Sequence, residues 1–220
     1  MKATVAALSV LCVALGLWYA SFYGKPNKKK ALAVKTAASL TFTVVGIICL
    51  AMAPSPYGRV ILAALIVGAV ADVILGTRFV FPNHKQKLFL AGTAVFAAGH
   101  IIYVVALNML GNVDVLFYVI GIALGIIICG LPMLLKKAHY GRLRVAMFGY
   151  AVILGIMVMC ALSCAFNGHV QVFVAASMFA LSDMLLLLIT FVKGNAALNT
   201  INLFTYYAAQ ALFGMSVLTI

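Results

Sequence analysis

The chain has 220 residues, of which 66% are hydrophobic and only 8% are charged. Soluble domains carry about 25% charged residues, so this composition excludes a water-soluble globular fold. The 15 Lys and Arg residues far outnumber the three acidic ones, but they lie in short connections between apolar runs, so no nucleic-acid partner is expected.

Eight apolar segments follow one another along the chain. A bilayer core about 30 Å thick takes roughly 20 residues per helix, and the continuous runs exclude the alternation of a β-barrel. The first run reaches about Phe22, too long for a signal-peptide core. We predict an all-α integral membrane bundle, one domain over residues 1–220 without internal repeats, with transmembrane helices near 3–23, 32–52, 59–77, 87–109, 115–135, 144–165, 170–190 and 200–220.

The basic residues divide unevenly between the connections. Only Lys2 and Arg59 lie at the N-terminus or in the even-numbered connections, and Lys35 lies just inside helix 2. The odd-numbered connections hold the others: Lys25, Lys28, Lys29, Lys30, Arg78, Lys85, Lys87, Lys136, Lys137, Arg142, Arg144 and Lys193. Because cytoplasmic connections are enriched in Lys and Arg, we predict a multi-pass cell-membrane protein with both termini outside.

The five cysteines all fall inside apolar segments and show no metal-ligand spacing, so we interpret them as core residues. They are Cys12, Cys49, Cys129, Cys160 and Cys164. No metal or cofactor is expected.

Two of the three aspartates lie within predicted helices. Asp72 and Asp183 are on helices 3 and 7, whereas Asp114 lies in an external turn. An ionisable residue in the membrane costs at least about 2.5 kcal/mol, so it needs a function or a partner. Both helices run from outside to inside, and both aspartates lie a few residues before the cytoplasmic end. We therefore expect them at nearly one depth, able to meet in the bundle.

Other polar side chains recur at helical spacing near that depth. Helix 2 carries a stripe that begins at Lys35 and continues through Ser39 and Thr43, and Ser182 precedes Asp183 on helix 7. The remaining candidates are on helices 4 and 8: His100, Tyr103, Asn202, Tyr206, Tyr207 and Gln210. Five helices thus direct polar groups toward one cavity on the cytoplasmic side.

Each of these groups also has a purely structural interpretation. Serine and threonine in membrane helices usually bond their own backbone, and Lys35 can extend toward the headgroups or pair with an aspartate to fix helix packing. His100 and the tyrosines can be ordinary packing residues that bond neighbouring helices. The residues alone leave these alternatives open.

Two carboxylates held close in a low dielectric cannot both ionise at little cost, so one would act as an acid and the other as a base. That pattern favours acid–base hydrolysis. No GxSxG, HExxH or glycine-rich phosphate loop supports a serine hydrolase, a zinc protease or a nucleotide-driven protein.

Short motifs at these positions resemble those of the YhhN and transmembrane protein 86 family, the lysoplasmalogenases. The resemblance spans roughly Lys25 to Gln210 and rests on Val34-Lys35-Thr36, Ala71-Asp72-Val73-Ile74-Leu75, Phe96-Ala97-Ala98-Gly99-His100-Ile101-Ile102-Tyr103, Phe179-Ala180-Leu181-Ser182-Asp183 and Thr205-Tyr206-Tyr207-Ala208-Ala209-Gln210. The family often has Lys-Pro where this chain has Lys35-Thr36, and Gly-Asp where it has Ala71-Asp72.

The resemblance implies a membrane hydrolase that cleaves the vinyl ether bond of a lysoplasmalogen, releasing a fatty aldehyde and a glycerophospho-headgroup. One aspartate would protonate the alkene carbon and the other would activate water, and the residues leave open which does which. Lys35 or His100 would tune them, and Tyr206, Tyr207 and Gln210 would hold water or substrate hydroxyls. The alternative is a proton-coupled small-molecule transporter or a lipid-binding protein, in which the same aspartates carry protons or bind headgroups.

Overall fold

The computed structural model describes residues 1–111, 113–134 and 140–220 of the chain. The basic residues Lys136 and Lys137 of the sequence analysis lie outside the described residues. All long elements in these ranges are helices: α1 (Lys2–Ala20), α2 (Lys28–Met52), α3 (Pro56–Thr77), α4 (Lys85–Asn108), α5 (Val115–Leu134), α6 (Arg144–Phe166), α7 (Val170–Leu188) and α8 (Ala196–Ser216).

Seven of the eight helices, α1 to α7, are long and apolar enough to cross a membrane. The predicted all-α bundle of eight helices is therefore confirmed. α8 has the necessary length of 21 residues but carries Asn199, Asn202 and Gln210 among its polar side chains. It packs against α1, α2, α3 and α7, so its polar groups face protein rather than lipid.

Several predicted helix ends differ from the structure by three or four residues. α2 begins at Lys28 rather than residue 32, so the basic cluster forms its first turn. α3 begins at Pro56 rather than residue 59, because the Ser55 hydroxyl accepts a hydrogen bond from the Gly58 amide and proline suits the first turn. α8 covers 196–216 rather than 200–220, because the Asn195 side chain caps the amide of Leu198.

α7 continues into a π-helical turn, Ile189–Lys193. Ile189 and Phe191 of this turn line the cavity described below.

α5 lies at the periphery and makes its main contact with α6. Glycines allow the two backbones to touch: a Cβ added at Gly155 would lie 2.2 Å from the carbonyl oxygen of Gly121, and one at Gly125 would lie 2.3 Å from that of Ala151. Small residues at such spacing let membrane helices pack closely without a hydrophobic driving force. The glycine pair on α5 thus packs helices within this chain.

The connections sort to the two ends of the bundle. Residues from the α1–α2, α3–α4, α5–α6 and α7–α8 connections line a single cavity, so these connections share one end, here called the basic end. At the opposite end, Tyr57 near the start of α3 bonds Ser216 over 2.8 Å, and Ser9 on α1 contacts Met215 on α8. Both termini therefore lie away from the basic end.

Candidate active site

A cavity of about 740 Å³ runs into the bundle from the basic end. All eight helices contribute to its wall, and its volume falls within the range of roughly 300–1,000 Å³ typical of small-molecule sites. The wall is mainly apolar, with Leu75, Met147, Leu154 and Leu187 among its residues. Two carboxyl groups, those of Asp72 and Asp183, face this apolar space.

The carboxylate of Asp72 is held by three donors from two neighbouring helices. The Lys35 ammonium on α2 lies 2.6 Å from Oδ1. The Ser39 hydroxyl, also on α2, donates to Oδ2 over 2.6 Å, and the Tyr206 hydroxyl on α8 donates to the same oxygen over 2.8 Å. Asp72 is only 1% exposed, so this carboxylate depends on its partners for the solvation that water would give.

The hydrogen-bond chain continues from Tyr206 away from the cavity. The Gln210 amide donates to the Tyr206 hydroxyl over 3.0 Å, and the Tyr103 hydroxyl donates to Gln210 Oε1 over 2.6 Å. Gln210 and Tyr103 are fully or almost fully buried and do not line the cavity. They fix the orientation of Tyr206 and, through it, of the Asp72 carboxylate.

Gly68 makes room for this chain. It lies one helical turn before Asp72 on α3, and a Cβ there would lie 2.8 Å from Gln210 Nε2 and 3.9 Å from the Tyr206 hydroxyl. The missing side chain therefore lets α8 bring its polar groups against the α3 backbone.

Asp183 has a different set of partners. Tyr150 on α6 donates its hydroxyl hydrogen to Asp183 Oδ2 over 2.6 Å. His100 on α4 places Nε2 3.5 Å from the same oxygen, in a geometry that does not make a hydrogen bond. Both contacts fall on Oδ2, so within the described residues no side chain bonds Oδ1.

The position of one His100 hydrogen follows from its other contact. Nδ1 lies 2.7 Å from the carbonyl oxygen of Phe96, and a carbonyl only accepts, so Nδ1 carries a hydrogen. A neutral His100 then has a lone pair on Nε2, facing Asp183 Oδ2. A lone pair and an ionised carboxylate repel each other in a buried site, and one proton on either group removes the repulsion.

The two carboxyl groups are therefore distinct rather than a directly bonded pair. No hydrogen bond joins Asp72 to Asp183 in the described part of the chain. The Phe179 ring lies between their partner groups, with its centroid 5.3 Å from that of Tyr206 and 4.7 Å from that of His100. The space in which both carboxyls can act on one molecule is the cavity itself.

Ser182 and Asn202 form a further contact between α7 and α8. The Asn202 amide donates to the Ser182 carbonyl oxygen over 2.5 Å and lies 3.2 Å from its hydroxyl. Both residues are buried and line the cavity. Because Ser182 directly precedes Asp183, this bond fixes the helix turn that presents Asp183.

The cavity entrance is basic. Lys28, Arg78 and Lys85 line it, together with polar residues such as Asn83 and Gln86. The Arg78 guanidinium lies 4.6 Å from the Phe79 ring centroid and 4.9 Å from that of Phe89, and burial lowers its pKa. A guanidinium stacked in this way is held in place but poorly solvated.

The structure brings six of the ten predicted site residues to the cavity wall: Lys35, Asp72, Ser182, Asp183, Asn202 and Tyr206. His100, Tyr103, Tyr207 and Gln210 lie behind it. Tyr207 is fully buried, packs where Gly16 of α1 leaves space, and places its hydroxyl 3.5 Å from the Lys35 carbonyl oxygen.

Tyr150 was missed by sequence reasoning although it bonds Asp183 directly. A signal was available: Tyr150 lies six residues after the start of α6 at the basic end, and Asp183 lies five residues before the end of α7 at the same end. At about 1.5 Å per residue the two positions have nearly equal depth.

Ser39 was noticed on its stripe but was interpreted as a backbone-bonding serine. It does bond the Lys35 carbonyl, and its hydroxyl also reaches Asp72.

Fold and site together define a helical membrane protein with an internal amphiphilic cavity that contains two buried carboxyl groups. The chain belongs to the YhhN family, which matches it over residues 31–217. No curated protein and no solved structure matches it. The matched range includes all the cavity residues named above except Lys28.

Proposed function

We propose that this protein hydrolyses the vinyl ether bond of lysoplasmalogen-type lysophospholipids within the membrane, releasing a fatty aldehyde and a glycerophospho-headgroup. The observation that carries the proposal is the placement of two differently partnered carboxyl groups on one cavity that has a mainly apolar wall and a basic entrance. A single-chain lipid likewise combines an apolar chain with a polar headgroup. In this proposal the basic end faces the cytoplasm.

Asp183 is the acid in this proposal. Its Oδ2 accepts from Tyr150 and faces the lone pair of His100, whereas Oδ1 has no partner among the described residues. A proton on Oδ1 removes the negative charge that faces the imidazole lone pair, and no described side chain accepts this proton, so it can pass to a substrate. Asp183 is the more exposed of the two carboxyls, at 11% of its side chain against 1% for Asp72.

Asp72 is the base. Its pairing with Lys35 stabilises the ionised form. An ionised carboxylate accepts about four hydrogen bonds, and Lys35, Ser39 and Tyr206 occupy three of these positions. One acceptor position remains for a water molecule.

The reaction balances with these two groups alone. Asp183 gives its proton to the alkene carbon distant from the ether oxygen, which leaves an oxocarbenium ion, and water adds to the adjacent carbon while Asp72 takes its proton. In the resulting hemiacetal the carbon–oxygen bond to the glycerol breaks. The leaving oxygen takes the proton from Asp72, and the hemiacetal hydroxyl returns one to Asp183, so both carboxyls regain their starting forms.

The test measures aldehyde release from a lysoplasmalogen by purified protein in lipid nanodiscs. We expect Asp183→Asn and Asp72→Asn each to lower kcat by about 100-fold or more, the size typical of lost acid–base catalysis. Asp114→Asn is the matched control, because Asp114 bonds the Leu116 amide in the α4–α5 connection, away from the cavity. Full activity in both cavity variants would overturn the proposal.

A second arm separates hydrolysis from transport. Among the described residues no three His, Cys, Asp or Glu side chains are grouped to hold a metal, so EDTA is expected to leave the rate unchanged. Wild-type protein that releases no aldehyde but moves protons or a small solute across liposomes in an Asp72-dependent way would support the transporter alternative instead.

A further inference from the structure

The cavity entrance contains a charge pattern that the two aspartates do not explain. Lys28, Arg78 and Lys85 line this part of the wall, and none of them has an acidic partner within 4.0 Å in the described part of the chain. The whole sequence contains three acidic residues. Asp72 and Asp183 have the partners described above, and Asp114 bonds a backbone amide in the α4–α5 connection.

Arg78 is the best placed of these cations to bind a ligand. Its Nε is buried and has no hydrogen-bond partner among the described residues. Two aromatic rings, those of Phe79 and Phe89, fix the guanidinium plane at the edge of the cavity. A buried guanidinium donor without an acceptor is costly, and a phosphate oxygen that enters the cavity would satisfy it.

The described residues at the entrance include no carboxylate that could bind a cationic headgroup. An ammonium headgroup needs a carboxylate or an aromatic cage that excludes other cations. Phe79 and Phe89 already stack on Arg78, and the Tyr19 ring centroid lies 5.4 Å from the Lys35 ammonium. Phe22 and Tyr23 also line the cavity, but Lys28, Arg78 and Lys85 beside them repel a further cation. Among the described residues, no Asp or Glu other than Asp72 and Asp183 lines the wall. Asp72 and Asp183 lie within α3 and α7 and not at the basic entrance.

We propose that Arg78, supported by Lys28 and Lys85, binds the phosphate of a single-chain phospholipid, and that the site selects the substrate by this phosphate and not by the headgroup amine. Choline and ethanolamine lipids then bind alike, with the amine in solvent outside the basic entrance. The inference deepens the proposed function by assigning the headgroup end of the same cavity.

The test uses binding, so that it does not depend on the hydrolysis proposed above. The probe is a radiolabelled lysophospholipid with a saturated ether bond, which has no alkene to protonate, bound to the full chain in nanodiscs. Choline and ethanolamine forms are compared with the matching alkylglycerol, which lacks the phosphate. Inorganic phosphate and glycerophosphocholine are added as competitors.

We expect the wild type to bind the two phospholipids with Kd values within about threefold of each other, and the alkylglycerol at least about tenfold more weakly. Arg78→Gln should weaken phospholipid binding about tenfold and leave alkylglycerol binding unchanged, with partial recovery in Arg78→Lys. Arg59→Gln, which changes an exposed arginine at the opposite end of α3, should have no effect.

Three results would overturn the inference: unchanged phospholipid binding in Arg78→Gln, equal weakening of the alkylglycerol, or a preference of more than about tenfold between the two headgroups. Displacement by inorganic phosphate as effective as by the lipid would identify a site for free phosphate and would also overturn it.

If Arg78→Gln does not fold, the double variant Lys28→Gln/Lys85→Gln takes its place, with the same expected loss of phosphate preference. Failure of vinyl ether hydrolysis in the wild type would overturn the proposed function while leaving this binding result intact.

Discussion

The Tyr150 hydroxyl on α6 donates a hydrogen bond to Asp183 on α7 over 2.6 Å. If Asp183 is the acid, the same phenol stabilises the carboxylate that remains after proton transfer. A hydrogen bond to a charged group contributes about 1.5–3 kcal/mol, so Tyr150→Phe should lower kcat by roughly 10- to 150-fold with little change in KM.

Aldehyde release by the Tyr150→Phe variant checks this prediction. The matched control is Tyr118→Phe, which removes an exposed phenol that bonds Asn108 away from the basic end. A Tyr150→Phe enzyme with wild-type kcat would show that the bond only packs α6 against α7.

Replacing one partner of the buried Lys35–Asp72 pair should destabilise the protein strongly. Removal of one partner leaves the other charge buried without compensation, which costs about 3–5 kcal/mol in the free energy of unfolding. Lys35→Met and Asp72→Leu should therefore each lower the melting temperature in detergent, whereas the double variant should recover much of the loss.

The same double variant separates packing from chemistry. It should regain stability and stay inactive in the aldehyde assay, because Asp72 would be absent as a base. Recovery of hydrolysis together with stability would show that the ion pair serves only to hold α2 against α3.

Gly68→Ala should disturb the site without changing any polar residue. The new methyl group would lie 2.8 Å from Gln210 Nε2, so the amide must move and its bond to Tyr206 is lost or lengthened. We expect lower kcat and a lower melting temperature. Gly149→Ala on α6 is the control, because a Cβ there meets no atom within 4 Å. Equal effects of both substitutions would point to a general response to alanine in helices.

Gly155→Ala should weaken the attachment of α5. Its Cβ would lie 2.2 Å from a backbone oxygen of α5, and backbone cannot move aside as a flexible side chain can. We expect a drop in melting temperature larger than that for Gly130→Ala, whose Cβ would approach only the Phe148 ring, at 3.7 Å. Thermal unfolding of both variants in the same detergent measures the difference.

The helical bundle was predictable from the sequence because apolar runs of about 20 residues have few other stable solutions in a bilayer. The ends were less predictable. Ser55 and Asn195 act through local caps, and these extended the starts of α3 and α8 beyond the edges of their apolar runs.

The site was predictable in its residues but not in its pairings. Helical spacing and depth identified Lys35, Asp72 and Tyr206, which the structure connects directly. Spacing cannot say which helices are neighbours, however, so the separation of Asp72 from Asp183 and the contact between Tyr150 and Asp183 required the packing of α6, α7 and α8. The activity and the roles of both aspartates stay predictions until aldehyde release is measured.

The polar character of α8 constrains how the protein reaches the membrane. The translocon passes a helix into lipid when the helix itself is apolar enough, and α8, unlike α1 to α7, does not reach the hydropathy of a candidate membrane span. Each helix that covers α8, namely α1, α2, α3 and α7, precedes it in the chain and has left the ribosome first. We therefore expect insertion of α8 to be coupled to assembly: the segment that carries Tyr206 and Gln210 would enter the bilayer by docking onto a partly built bundle, and the Asp72 network would close in the same step.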